Sequence, residues 1–151
     1  MKKKIITSAI AVLLMFTLCS CNSAPASYKD GVYEGKSGVY QTGEGTEDVG
    51  SGYGVIKITV KDNEITACEF NTYEEDGTLK DDSYGMKDGK IANQDFYNKA
   101  QKAVKACNEY AKSLIETNDP EMVDAISGAT INNTEFKEAA YDALEKAKAA
   151  N

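Results

Sequence analysis

The chain contains no histidine. Histidine is the commonest general base near neutral pH and the commonest metal ligand. Ser-His-Asp and Cys-His catalysis therefore cannot be built here. Cysteine is scarce, with Cys19, Cys21, Cys68 and Cys107 the only four. Two of them fall in an N-terminal segment read below as processed, and the remaining pair is too small for a Cys-rich zinc site. No metal site is expected. Basic residues are outnumbered 17 to 24, for a formal net charge of −7. No basic patch is available to follow a nucleic-acid backbone, so no nucleic-acid partner is expected. No internal repeat is present, which leaves one copy of one domain.

Long apolar runs are confined to the N-terminus. Lys2, Lys3 and Lys4 precede a mostly apolar stretch from Ile5 to Leu18. That pattern reads as a bacterial secretory signal over residues 1–20. The run is too short for a comfortable membrane span of about 20 residues. Its end, Leu18-Cys19-Ser20-Cys21, resembles a lipobox. The resemblance implies lipid transfer to Cys21, cleavage before it, and anchoring on the extracytoplasmic face of the membrane. Processing would leave 131 of the 151 residues, and loss of the three lysines would take the charge from −7 to −10. Residues 21–29 are small and polar around Pro25 and read as a flexible tether. Residues 30–151 form the domain.

The expected fold class is α+β: a small antiparallel sheet with a β-hairpin, packed against two C-terminal amphipathic helices. Val32 and Tyr33 suggest a short first strand between glycines. Residues 41–52 are rich in Gly and acid and read as a loop. From Tyr53 to Tyr73 the β-branched residues cluster on either side of Asp62-Asn63. Asn and Asp tolerate positive φ, so a tight hairpin is natural there. Pairing about that turn sets Val60 opposite Ile65, Ile58 opposite Ala67, Thr59 opposite Thr66 and Val55 opposite Phe70. Residues 74–94 are acidic and turn-rich, either a functional segment or a solvated loop.

A first helix is predicted over 95–117. Phe96, Ala100, Ala103, Val104, Cys107, Ala111, Leu114 and Ile115 form its apolar stripe. It must stop near Pro120. A second helix is predicted over 133–148, with Phe136, Ala139, Ala140, Ala143, Leu144 and Ala147 on its apolar face. Both stripes read as core. Asn132 and Glu135 resemble a capping box at its start. Cys68 and Cys107 both fall in predicted core elements, where they either pack as small apolar groups or form a disulfide.

The most informative residues are Asp124-Ala125-Ile126-Ser127-Gly128-Ala129-Thr130. They place a hydroxyl on a small-residue turn ahead of a helix. Such an end has unpaired N–H groups and a positive dipole, which favour phosphate. Gly128 and Ala129 leave clearance around Thr130.

Asp-x-x-Ser-Gly-Ala-Thr resembles the covalent flavinylation motif of the FMN-binding domain family. That family includes extracellular electron-transfer lipoproteins and flavin subunits of ion-pumping quinone reductases. The D-G-x-Y-x-G opening at Asp30 is similar to the start of many such domains. The resemblance implies FMN held on Thr130 as a phosphoester, installed from FAD by a Mg-dependent flavin transferase. Asp124, Ser127, Gly128 and Ala129 then serve recognition or shape the turn. Many members carry Thr or Ser shortly after the motif threonine; Ile131-Asn132-Asn133 stands here instead. The implied function is electron shuttling between an unidentified redox donor and acceptor, with no catalytic residue in the chain. Two alternatives stand beside it: a flavin-bearing module of an extracellular reductase, and a non-flavinylated ligand-binding or structural lipoprotein. Tyr84, Met86 and Tyr53 are candidates to meet the flavin ring.

Overall fold

The structure, a computed structural model, describes residues 27–41 and 51–149. The signal segment 1–20, the lipidation residue Cys21, most of the tether and most of the 41–52 loop lie outside the described residues. Asp62 and Asn63 take positive φ, 53° and 67°. Those angles match a two-residue turn to the twist of the flanking strands. The turn joins β2 (Tyr53–Lys61) to β3 (Glu64–Tyr73). β1 (Gly31–Lys36) pairs antiparallel with the other edge of β2, giving the order β1-β2-β3. Helices α1 (Gln94–Thr117) and α2 (Thr130–Ala149) follow, separated by a short 3-10 turn at Pro120–Met122. The fold is α+β, as expected. No helix among the described residues is long and apolar enough to cross a membrane.

The hairpin register departs from expectation after its first apolar pair. Val60 faces Ile65, but Thr59 then faces Ala67, Ile58 faces Cys68 and Ile56 faces Phe70. A bulge at Thr66 accounts for the slip. Side chains alternate along a regular strand, so an odd Ile65 and an even Phe70 cannot share a face. One extra residue reverses the parity, and both side chains end buried. The Ile65 N–H at the bulge donates to Asn118 Oδ1 at 2.5 Å. Asn118 is itself the left-handed C-cap of α1, with φ 55°.

The core lies between one face of the sheet and both helices. Ile56, Ile58, Val60 and Phe70 meet Leu114 of α1 and Phe136 of α2. Alanines 139, 140, 143 and 147 are fully buried and let α2 lie close on the sheet. A Cβ at Gly35 would come within 2.0 Å of the Ala139 carbonyl oxygen, so only glycine fits there. Tyr28 and Lys29, placed in the tether from sequence, are already tied to the domain. Tyr28 N–H donates to Asn63 Oδ1 at 2.8 Å, and Lys29 N–H donates to the Ala147 carbonyl at 3.3 Å. Cys107 is buried, Cys68 is half-buried, and both are free thiols. Burial pushes the Cys68 thiol up to about 12.

Candidate functional site

After the buried Val123 the chain runs exposed through Asp124 and Ala125, then turns over Ile126–Ala129. Ala129 N–H donates to the Ile126 carbonyl at 2.9 Å. Gly128 occupies the third place with φ 82°, a conformation that favours glycine. Lys102 lies over it: a Cβ at Gly128 would sit 3.3 Å from Lys102 Nζ.

Tyr110 of α1 holds this turn from inside. Its hydroxyl accepts from Ile126 N–H at 3.0 Å and donates to the Ala129 carbonyl at 2.9 Å. Its ring is buried and stacks on Phe136, with centroids 5.4 Å apart. The sequence reading missed Tyr110. The available signal was its spacing, three residues after Cys107 and four before Leu114, on the buried stripe.

Helix α2 begins on Thr130, three residues ahead of the expected Asn133. Asn133 N–H donates to the Ala129 carbonyl at 3.0 Å, which puts Ala129 at the cap. An alanine methyl cannot accept the hydrogen bonds a cap side chain takes. Among the described residues, the N–H groups of Thr130, Ile131 and Asn132 find no protein acceptor. The first turn carries no acidic residue. The positive end of α2 is thus open.

The expected Asn132–Glu135 capping box does not form, because the helix has already started. Asn132 Nδ2 reaches across to α1 instead, donating to the Ala103 carbonyl at 3.1 Å and contacting Cys107 Sγ at 3.5 Å. Glu135 turns into the interior, where neither carboxylate oxygen has a hydrogen-bond partner. Burial pushes its carboxyl up to about 7.

Residues Gly128 to Asn132 line a cleft of about 160 Å³. Helix α1 contributes Phe96, Lys99, Ala100, Ala103 and Val104 to it. The end of β3 and the loop beyond contribute Thr72, Lys80 and Tyr84. The α1 stripe therefore does two jobs, a correction to its reading as core throughout. Its later residues Cys107, Ala111 and Leu114 are core. Its earlier ones border the cleft, where Ala100 and Ala103 are too short to fill the space before α2.

The 74–94 stretch is pinned to α1. Gln101 Nε2 donates to the carbonyls of Asp81 and Tyr84, at 3.0 and 2.9 Å. Tyr97 hydroxyl donates to the Asp82 carbonyl at 3.0 Å. A shallower cleft of about 440 Å³ adjoins, lined by Met86 among others and sharing Tyr84 and Phe96 with the first. Of the three ring candidates, Tyr84 borders both clefts and Met86 the second. Tyr53 stacks on Tyr73 at 5.5 Å and lines neither. Thr130 is exposed at the cleft edge; Asp124 and Ser127 are exposed and outside both clefts.

Comparison with known proteins adds to this geometry. A family model described as the FMN-binding domain matches residues 51–145. No curated protein matches the chain. A Clostridium perfringens protein known from a crystal structure is 23% identical, with a TM-score of 0.57, covering 82% of this chain and 92% of its own. A Clostridium thermocellum protein known from solution NMR is 23% identical, with a TM-score of 0.40, covering 79% of this chain and 92% of its own. The first of these shares the fold.

Proposed function

The chain belongs to the FMN-binding domain family, and from that membership we propose a membrane-anchored, extracytoplasmic flavoprotein that carries FMN as a phosphoester on Thr130 and shuttles electrons. That it is a flavin-binding protein follows from the family itself. The finer reading rests on one observation above the rest: Thr130 is exposed and is the first residue of a helix whose end has no capping side chain among the described residues.

The residues present fit the group. A phosphate on Thr130 would lie at the open N–H groups of α2, the arrangement that helix ends offer to anions. Every one of the 17 basic residues is a lysine, so no arginine fork is available and backbone N–H groups become the natural phosphate donors. Phe96, Ala100, Ala103 and Val104 offer an apolar wall to a flat ring, with Tyr84 beside them. When bound, FMN supplies the redox chemistry. Tyr110 holds the acceptor turn in shape, and Gly128 supplies its left-handed residue.

Thr130 acts here as the substrate of another enzyme. A flavin transferase, with FAD as donor and Mg as its metal, would install the group, so the chain needs no base of its own. Asp124 and Ser127 are exposed where that enzyme could read them. Covalent attachment suits an exported protein, which would lose a dissociable cofactor to dilution. Lipid on Cys21 would hold the domain at the membrane, between a redox donor and an acceptor. The test is the intact mass of protein co-produced with a flavin transferase. Wild type gains FMN, and Thr130→Ala gains none and stays colourless. Undiminished covalent flavin in the variant would sink the proposal.

A further inference from the structure

Lys80 follows an acidic, turn-rich stretch, yet it is only 8% exposed. A tight turn returns it to the sheet: Glu74 N–H donates to the Thr78 carbonyl at 2.8 Å, and Lys80 N–H to the Thr72 carbonyl at 2.9 Å. Gly52 makes room for it, since a Cβ there would lie 2.9 Å from Lys80 Nζ. The side chain lines the cleft, with its ammonium 5.2 Å from the Tyr84 ring centre. Among the described residues the ammonium has no hydrogen-bond acceptor and no ion pair within 4.0 Å. An ammonium drawn largely out of water needs an acceptor, and the cleft is where this one can find it. Glu135 is fully buried, with both carboxylate oxygens unpartnered. The two groups interact electrostatically, each favouring the charged form of the other. A pair arranged only for stability would close into a hydrogen-bonded bridge.

We propose that Lys80 is the cofactor-contacting cation of the cleft, donating from its ammonium to the carbonyl-bearing edge of the flavin ring, with Glu135 as the positioning residue that keeps it charged. This rests on the flavin reading above. The pyrimidine edge of the ring offers carbonyl acceptors to an ammonium that has none among the described residues. Reduction adds two electrons from a reductant and one proton from solvent, leaving one net negative charge on the ring. No bond to Lys80 forms or breaks. A nearby ammonium favours that anion over the neutral oxidised ring and so raises the midpoint potential. The overall charge of −7 works the other way. A buried cation is screened by salt far less than exposed acids are. Other titratable groups facing the pair are Glu74 beyond β3, Cys107 on α1, Glu138 on α2, and Tyr84 and Tyr40.

The test uses full-length protein loaded by a flavin transferase and titrated with dithionite. Lys80→Met should carry FMN by intact mass, show a lower midpoint, and ionise its reduced flavin at higher pH. Lys80→Arg should restore both towards wild type. In Glu135→Gln the ammonium loses its counter-charge, so the gap between its midpoint and that of Lys80→Met, read at the same pH, should close as pH rises. A merely structural Glu135 would give no such dependence. If Lys80→Met does not fold, the ammonium nitrogen resonance of Lys80 in wild type decides, because it should shift on FMN loading. A loaded Lys80→Met with the wild-type midpoint, or an unmoved ammonium resonance, overturns this proposal alone. Wild type that takes up no covalent FMN overturns the Thr130 reading and this one with it.

Discussion

Helix α1 opens on a finished cap: Asn93 Oδ1 accepts from Phe96 N–H at 3.1 Å, and Asp95 adds a negative charge in the first turn. Helix α2 opens on Thr130 with alanine at its cap and no acid in its first turn. The α1 start lies among exposed residues, whereas at α2 Thr130 is exposed between a buried Ala129 and half-buried Ile131 to Asn133. On the proposed reading, the difference lies in what each end is for. An end that serves only its own helix is satisfied by its own side chains. An end left open beside a cleft retains donors and positive potential for something that arrives later. Replacing a good cap by alanine costs about 1 kcal/mol in ordinary helices, and α2 carries that weakness beside Thr130, the proposed acceptor.

The largest expected effect comes from Glu135, in the second turn of α2. Its folded pKa is raised from 4.5 to about 7, chiefly by burial, with Lys80 opposing. The folded protein therefore holds a proton that the unfolded chain releases at lower pH. The resulting stability is present below about 4.5 and is lost as pH rises through about 7. A shift of that span corresponds to at most on the order of 3 kcal/mol. Urea unfolding of unloaded wild type should show falling stability from about pH 5 to about pH 8, while Glu135→Gln stays nearly flat. Equal wild-type stability at both pH values would mean that the start of α2 holds no unmet charge, and the contrast with α1 would weaken.

Tyr110 ranks second. Tyr110→Phe keeps the stacked ring but strips the turn of both hydrogen bonds, leaving Ile126 N–H and the Ala129 carbonyl without that partner. The expected loss is about 2 kcal/mol, with slower FMN loading because the turn that presents Thr130 loosens. Unfolding by urea and intact mass against time read the two effects separately. Unchanged loading in a destabilised variant would show that the transferase accepts the motif without its support from α1.

Much of the scaffold was legible because it follows local rules. Asp62-Asn63 marked the hairpin, helical spacing marked α1, and Pro120 marked its end. Of the motif, Gly128 to Thr130 border the cleft, while Asp124 and Ser127 lie outside it. What stayed hidden depends on partners distant in the chain. Asn132 and Glu135 match a local capping pattern, but α1 takes the first side chain and the interior takes the second. The bulge at Thr66 reconciles two strand parities, which alternation alone does not reveal. Lys80 reads as solvated in an acidic run until the turn at Glu74–Thr78 folds it back onto Thr72. Tyr110 looks like one more apolar position until its hydroxyl is seen between Ile126 and Ala129.

The smallest effect separates the two helix ends most cleanly. Asn93→Ala removes the α1 cap and should cost about 1 kcal/mol in urea unfolding. It gives α1 the same kind of start that α2 has naturally. If an uncapped end mattered only through helix stability, this variant would impair FMN loading as a weakened α2 would. If the open end matters because of where it points, loading and midpoint should match wild type, because Asn93 lines neither cleft. A loading defect in Asn93→Ala proportional to its lost stability would therefore remove the distinction, since general helix stability and not the donors beside Thr130 would then govern attachment.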